Sequence, residues 1–159
     1  MKRLLAIGYA LLLLCASMYL GTGWSLILFS FPVAPKLTVD SYYLQFVPQV
    51  EAATRFFTYM TGLMIVLALV MLVAEWRTRF RWVPIVVLLG VIAATLFTTQ
   101  IIFPVNHVME AGITDPAQLL DVLGRWMTLN RIRVWMWTAQ WVAMAWYFAA
   151  QVRPADATA

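Results

Sequence analysis

Four long stretches of apolar residues dominate this sequence, and the first carries no charged residue between Leu4 and Pro35. A bilayer core of about 30 Å is crossed by roughly 20 apolar helical residues. Inside that core every backbone polar group must be satisfied within its own segment, which leaves helices as the spanning form here. The pattern predicts an all-α, four-transmembrane-helix bundle with spans at about residues 4–33, 56–74, 82–103 and 134–150.

The composition also favours lipid as the solvent. Of 159 residues, 64% are hydrophobic and only 11% are charged. A soluble domain is about a quarter charged, and a chain this short could not bury such an excess of apolar residues in its interior. We therefore predict a single four-helix membrane domain over residues 1–153, followed by a disordered tail over residues 154–159.

The charged residues predict an orientation. Arg77, Arg79 and Arg81 crowd a short turn between the second and third spans, and short basic loops are typical of the cytoplasmic side. Five of the seven acidic residues lie on the opposite side: Asp40, Glu51, Glu110, Asp115 and Asp121. Both termini should therefore be cytoplasmic, with two longer extracytoplasmic loops at about 34–55 and 104–131.

The positions of the basic residues bear on partners. They lie at helix ends rather than on one soluble face, so the pI near 9.6 is a topology signal and predicts no nucleic acid partner. The expected partner is the lipid bilayer. We expect a multi-pass protein of the cell membrane, which in a bacterium is the inner membrane.

Cysteine and histidine counts limit the redox chemistry. Cys15 is the single cysteine, so an internal disulfide and Cys-x-x-Cys exchange are excluded. One histidine cannot form bis-His haem or the two-His di-iron carboxylate bundle. The sequence shows no nucleotide-binding glycine motif, and we assign no metal ligands. The cofactor stays unknown: a metal with few protein ligands, a bound organic molecule, or none.

The residues after the third span include a candidate acid–base pair. If helical, His107 and Glu110 lie one turn apart on one face. A carboxylate raises the basicity of an imidazole and favours one tautomer. The pair could serve as a general base or as part of a metal site. The structural alternative is a solvated ion pair beyond the bilayer.

A second candidate group lies where the fourth span begins. Thr114-Asp115-Pro116 is typical of a helix start, with a helix running from there into the span. One face of that helix would carry Trp126, Asn130, Arg133, Trp137 and Gln140.

Arg133 is the most diagnostic of these residues. A cation near the membrane boundary is costly without a partner, which predicts a carboxylate or carbonyl beside it. The acidic candidates are Asp40, Glu51 and Glu110. Arg133 is then either a structural salt bridge or a planar guanidinium that binds an anion or oxyanion.

Three motifs together resemble a known family. They are Gly21-x-Gly23 running to Phe29-Ser30-Phe31-Pro32-x-x-Pro35, then Pro104-x-Asn106, then Trp126-x-x-Leu129-Asn130-x-x-Arg133. Over about residues 21–141 the chain is similar to the anthrone oxygenase-like family of small four-helix membrane proteins. Fungal members are implicated in oxidising anthrones to anthraquinones, so the resemblance implies a hydrophobic aromatic substrate. Asn106, Asn130 and Arg133 match family positions, although members often carry His where Asn130 stands.

Two functional hypotheses follow. In the first, the protein is a membrane oxidoreductase or oxygenase with a substrate pocket near the outer membrane face. Its catalytic residues would be His107, Glu110 and Arg133, and its substrate-binding residues Asn106, Asn130, Trp126 and Trp137. In the second, it is a non-enzymatic accessory subunit or small-molecule-binding protein, with a membrane protein partner or a second copy of itself.

Overall fold

The computed structural model describes residues 2–151, so the predicted disordered tail at 154–159 lies outside the described residues. The described chain folds into helices, which are α1 (Lys2–Ser25), α2 (Tyr42–Glu75), α3 (Trp82–Phe97), α4 (Phe103–Glu110) and α5 (Pro116–Gln151). Two π-helical segments lie between them, the first π-segment (Leu26–Ser30) after α1 and the second π-segment (Thr98–Ile102) between α3 and α4. A 3-10 turn covers Ala34–Lys36.

The long helices form a ring of four neighbours. α1 packs against α2 and α5, and α3 packs against the same two helices. α3, the second π-segment and α4 follow one another without a break, so they act as one rod. The short connection between α2 and α3 makes these two helices antiparallel neighbours. The prediction of an all-helical bundle is confirmed.

Three helical segments are long and apolar enough to cross a membrane: Arg3–Ser30, Tyr42–Glu75 and Trp82–Glu110. α5 has 36 residues, which corresponds to about 54 Å at about 1.5 Å per residue. Its length therefore suffices for a span. Its tryptophans and glutamines make it less apolar than the other three segments, and the fourth span stays a prediction.

The two connections expected at about 34–55 and 104–131 are largely helical, beyond the helix that the sequence predicts from Pro116. α2 already begins at Tyr42, and α4 with the start of α5 occupies most of the predicted loop at 104–131. Both segments have an apolar face to bury. Tyr42 and Phe46 pack in one cluster with Met109 and Leu119. Only one face of each segment is buried, which hides the helical period among exposed polar residues.

The predicted helix start at Thr114-Asp115-Pro116 is confirmed. α5 begins at Pro116, and the Asp115 carboxylate accepts hydrogen bonds from the backbone N–H groups of Ala117 (3.1 Å) and Gln118 (3.3 Å). This is the usual way to satisfy free N–H groups at a helix start. The helix then continues past Trp126 to Gln151 without interruption.

Each π-segment ends at a Phe-Pro dipeptide. Phe31 N–H donates to the Leu26 carbonyl (2.9 Å), and Phe103 N–H donates to the Thr98 carbonyl, both spanning five residues. The next residue is a proline in each case. Proline has no N–H and its ring crowds the carbonyl four residues earlier, so a wider turn accommodates it. Such π-turns occur frequently at functional sites.

At the end of the bundle that holds the N-terminus, one carboxylate joins three helices. Glu75 Oε1 accepts hydrogen bonds from Tyr147 (2.8 Å) and Tyr9 (3.4 Å), and its Oε2 accepts one from Thr78 (2.6 Å). We call these four residues the Glu75 cluster. The cluster links α1 and α5 to the end of α2. Both oxygens of the Glu75 carboxylate accept hydrogen bonds from protein hydroxyl groups.

Candidate ligand-binding cavity

A cavity of about 680 Å³ lies between the helices in the half of the bundle away from the Glu75 cluster. Its size is within the usual range for small-molecule sites. On α5 it extends from Trp126 past Arg133 and Trp137 to Gln140, a rise of about 21 Å along the helix at about 1.5 Å per residue. The face of α5 predicted from the sequence is therefore the wall of a real cavity, except that Asn130 lies behind it.

The opening of the cavity faces away from α5. The α5 side chains Trp126, Trp137 and Gln140 are buried. The exposed lining side chains belong to α1, α2, α3 and their extensions, and they are Ser25, Phe29, Val33, Gln45, Gln49, Thr58, Thr95 and Thr99. α5 thus forms the closed back wall, and a ligand would enter between the other helices.

Both π-segments contribute to the walls. Leu26, Phe29 and Ser30 from the first π-segment and Thr98 and Thr99 from the second line the cavity. The π-segments that precede the two Phe-Pro dipeptides therefore line the same space. Pro32 entered the family resemblance above only as part of a motif, and its place after a π-segment that lines the cavity was not predicted from the sequence.

Arg133 is the only charged side chain among the described lining residues. Its Nη1 donates to Thr98 Oγ1 (3.3 Å), its Nη2 donates to Asn130 Oδ1, and its guanidinium carbon lies 4.7 Å from the centroid of the Trp137 ring. Its Nε is buried and has no partner. Since a guanidinium has five N–H donors, most of its donor capacity remains available.

The predicted carboxylate partner of Arg133 is wrong, whereas the carbonyl alternative is confirmed. Within residues 2–151 no acidic side chain forms an ion pair with Arg133, so Asp40, Glu51 and Glu110 are not its partners. Asn130 supplies a side-chain carbonyl oxygen instead.

Asn130 supports Arg133 rather than facing the cavity. Its side chain is fully buried, and its Nδ2 donates to the Trp126 carbonyl (2.8 Å) one turn earlier. The amide is therefore held at both ends, with its carbonyl oxygen directed at Arg133. It orients the guanidinium from behind, and the prediction that it contacts substrate has no support in its position.

Asn106 contributes a second incomplete polar group. It lies on α4, is only 6% exposed, and lines the cavity. Its Oδ1 has no hydrogen-bond partner. In the described part of the chain, Asn106 Oδ1 and Arg133 Nε are the two buried side-chain atoms without a partner. Leaving such an atom unpaired costs about 1–3 kcal/mol, and both residues line the cavity.

Aromatic rings lie on both sides of the Arg133 level. On the deep side, Tyr19 is 4.8 Å from Trp137 and 4.6 Å from Phe57, measured between ring centroids. On the other side, Phe46 is 5.0 Å from Trp126. All five rings line the cavity. The two tryptophans were predicted from the sequence, whereas Tyr19, Phe46 and Phe57 were not, because their helices carry no local sign of which face turns inward.

His107 and Glu110 form the predicted contact but do not join Arg133. His107 Nδ1 lies 3.0 Å from Glu110 Oε2, with side chains 70% and 40% exposed. Neither residue lines the cavity. Successive residues on a helix point about 100° apart, so the inward direction of Asn106 turns its neighbour His107 outward. The structure therefore brings together Asn106, Trp126, Arg133 and Trp137, and leaves the acid–base pair on the surface.

Two glycines allow the cavity walls to approach closely. A Cβ on Gly23 would lie 2.8 Å from Val134 and 2.9 Å from the Trp137 ring. A Cβ on Gly90 would lie 2.6 Å from Cγ of Gln140. All three distances are too short for real contacts, so the positions of Trp137 and Gln140 depend on the absence of a side chain at Gly23 and Gly90.

Among the described residues, no group of three or more His, Cys, Asp and Glu side chains is arranged to hold a metal ion. No family model, curated protein or solved structure matches this chain.

Proposed function

We propose that this protein is an integral membrane protein whose cavity binds a hydrophobic aromatic small molecule through an oxygen group on that molecule. One observation carries the proposal: in a cavity lined largely by rings and aliphatic groups, Arg133 Nε and Asn106 Oδ1 are both buried and unpartnered. Mostly apolar walls with a few polar groups in defined positions are typical of small-molecule sites.

The chemistry of the ligand follows from these groups. Arg133 would donate hydrogen bonds to a carbonyl or ionised oxygen, and Asn106 Oδ1 would accept one from a hydroxyl. The rings of Trp126, Trp137 and Phe57 would pack against a planar body, since aromatic pairs favour offset-stacked or edge-to-face contacts. A ligand that makes these contacts combines a planar aromatic ring system with at least one oxygen group.

The membrane arrangement that we propose has α5 as a fourth span and both termini in the cytoplasm. α5 packs against α1 and α3, and large apolar side chains such as Trp135, Val142 and Trp146 are exposed on its outer face. Lipid is a suitable neighbour for such a surface. The basic turn with Arg79 would then be cytoplasmic, and the cavity would lie in the outer half of a cell membrane.

The orientation can be tested by labelling in intact cells. Arg79 and Thr114 are exposed at opposite ends of the bundle, and the native Cys15 is buried. We expect a membrane-impermeant maleimide to label Thr114→Cys from outside and to label Arg79→Cys only after the cells are broken. The reverse pattern would contradict the proposed orientation.

The binding function can be tested with anthrone, a flat aromatic ketone, and the protein in nanodiscs. Trp126 and Trp137 line the cavity, so a bound ring should quench tryptophan fluorescence. Arg133→Gln removes hydrogen bonds from a charged donor, worth about 1.5–3 kcal/mol, and should weaken binding about 10- to 100-fold. Arg125→Gln changes an exposed residue of the same helix that does not line the cavity, and affinity should stay unchanged. Equal affinities in all three proteins would refute the proposal.

A second candidate function is oxidation of the bound molecule, in line with the family resemblance. A planar guanidinium facing an apolar cavity is suited to stabilising the oxyanion of an enolised anthrone. The balanced reaction is anthrone plus dioxygen to anthraquinone plus water. The position of Arg133 in the cavity wall favours this candidate. His107 does not line the cavity, so no step inside the cavity is assigned to it.

Quinone absorbance under oxygen measures this activity directly. If Arg133 provides the oxyanion contact, the rate should exceed that of empty nanodiscs and fall at least 10-fold in Arg133→Gln. If the exposed His107 acts as the base, His107→Ala should lower the rate as well; an unchanged rate would remove His107 and Glu110 from the mechanism. A wild-type rate equal to that of empty nanodiscs would leave binding as the function.

A further inference from the structure

The charge of the cavity allows a more specific assignment of its ligand. This inference rests on the proposed binding function. We infer that the cavity takes a planar aromatic molecule as a monoanion, with its single ionised oxygen acid group against Arg133.

The first argument is the unbalanced charge. Arg133 is the only charged group among the described lining residues. Of the seven acidic residues, only Asp156 lies outside the described chain, and none of the other six forms an ion pair with Arg133. A charge in an apolar environment is costly unless it is paired. An anion entering the cavity provides the pairing that the described chain does not.

The second argument is the geometry of the guanidinium. Nη1 and Nη2 each make one hydrogen bond to the protein, and Nε makes none. The group therefore keeps a second N–H on each terminal nitrogen for a ligand, in addition to the enclosed Nε–H. A carboxylate or sulfonate can accept two parallel hydrogen bonds from such an edge, which is the preferred arrangement of Arg with oxygen acids. A neutral carbonyl would use fewer of them.

The cavity also limits the number of negative charges on the ligand and favours a planar ring system. One guanidinium balances one negative charge, whereas a dianion would leave an unpaired negative charge among Trp126, Trp137 and Phe57, which is unfavourable. The neutral hydroxyl of Thr98, which contacts Arg133, can serve a remaining oxygen without adding charge. Aromatic rings on both sides of Arg133 favour a planar body over an alkyl chain.

A matched pair of fluorescent probes separates charge from hydrophobicity. 8-Anilinonaphthalene-1-sulfonate is an aromatic monoanion, and N-phenyl-1-naphthylamine is the same molecule without the sulfonate. With the protein in nanodiscs of neutral phosphatidylcholine, and empty nanodiscs subtracted, we expect Arg133→Gln to weaken binding of the sulfonate at least 10-fold. The neutral probe should change less than twofold. Arg125→Gln, the exposed control, should leave both probes within twofold of wild type.

A second variant reports on charge without removing Arg133. Asn106→Asp places a carboxylate on the lining of the same cavity. If charge decides affinity, this variant should weaken the sulfonate at least fivefold and leave the neutral probe within twofold. Competition then shows whether the cavity prefers a planar ring system or an alkyl chain. Anthracene-9-carboxylate should displace the sulfonate at lower concentration than dodecanoate. Displacement by dodecanoate at the lower concentration would overturn the assignment of a planar ligand.

The failures of the two proposals are distinguishable. If neither probe binds wild type above empty nanodiscs, the binding function itself fails. If both probes bind and neither Arg133→Gln nor Asn106→Asp discriminates between them, the cavity binds hydrophobic molecules and the assignment of an anion is wrong. Should Arg133→Gln not fold, the Asn106→Asp comparison decides by the same criterion.

Discussion

Each half of this bundle contains a charged side chain that hydrogen-bonds to neutral groups, Glu75 in one half and Arg133 in the other. The two differ in whether these partners satisfy the hydrogen-bonding capacity of the charged group. In the Glu75 cluster, three hydroxyl groups donate to the carboxylate and both of its oxygens are occupied. At the other end, Arg133 has an unpartnered Nε and faces a cavity that also contains the unpartnered Asn106 Oδ1. The first arrangement is complete within the protein, and the second becomes complete only with another molecule.

This difference teaches how to separate structural polar groups from binding groups in a membrane bundle. A satisfied polar cluster joins helices and specifies their arrangement. An unsatisfied one costs free energy in the empty protein, and that cost is recovered when a ligand binds. We therefore assign the Glu75 cluster to stability and Arg133 to function, and the following changes test that division in order of expected effect.

The largest loss of stability is expected from Glu75→Ala. The change leaves Tyr9, Tyr147 and Thr78 without their acceptor, and hydrogen bonds to a charged group contribute about 1.5–3 kcal/mol. We expect the free energy of unfolding, measured by denaturant titration in detergent, to fall by about 3 kcal/mol. Anthrone affinity of the folded fraction should stay within twofold. A loss of affinity without a loss of stability would break the proposed division.

Gly90→Ala should affect both properties moderately. The new methyl group would meet Gln140 at 2.6 Å, and the side chain can only give way toward the cavity that it lines. Overpacking of this kind costs about 1–3 kcal/mol; we expect about 1.5 kcal/mol of stability and a severalfold loss of anthrone affinity. Gly62→Ala is the matched control, because a Cβ there meets nothing within 4 Å, and neither property should decrease.

Tyr147→Phe and Tyr9→Phe compare two donors to the same oxygen. The Tyr147 hydroxyl lies 2.8 Å from Glu75 Oε1 and the Tyr9 hydroxyl 3.4 Å. The shorter bond should contribute more, so we expect losses of about 1 kcal/mol for Tyr147→Phe and about 0.5 kcal/mol for Tyr9→Phe. Denaturant titration of both variants measures this, and the opposite order would contradict the geometry.

Arg133→Met should affect stability much less than Glu75→Ala does, although it has one of the largest effects on binding. No acidic side chain within residues 2–151 pairs with the Arg133 cation. Its removal therefore relieves a desolvation cost, while two hydrogen bonds are lost. We expect the free energy of unfolding to change by less than about 1 kcal/mol, whereas anthrone affinity falls at least 10-fold. A stability loss comparable to that of Glu75→Ala would instead make Arg133 a structural residue.

Much of the cavity's back wall could be predicted from the sequence, because it lies on one helix. Trp126, Arg133, Trp137 and Gln140 follow three-, four- and seven-residue steps that put them on one face of α5 whatever surrounds it. The start of that helix at Pro116 was equally readable from its local residues. The acid–base pair was predicted for the same local reason, and its contact formed as expected.

The opposite wall could not be predicted in the same way. Tyr19, Phe57 and Thr98 lie on three other helical segments, and nothing within those segments indicates which face turns toward α5. The π-segments shift the helix register just before Phe31 and Phe103, so a regular helical period misassigns the faces around them. The Phe-Pro dipeptides were the available signal, although they indicate a local distortion and not its direction.

The sequence by itself determined that the chain is helical, that three long segments suit lipid, and which residues share a face of α5, because these depend on composition and on contacts a few residues apart. Only the tertiary structure decided that Asn106 turns inward while His107 turns outward, that Arg133 meets Asn130 and Thr98 instead of a carboxylate, and that a cavity remains between the helices. Those outcomes depend on how four faces pack at long range, where the missing side chains of Gly23 and Gly90 and the extra residue of each π-turn set the distances.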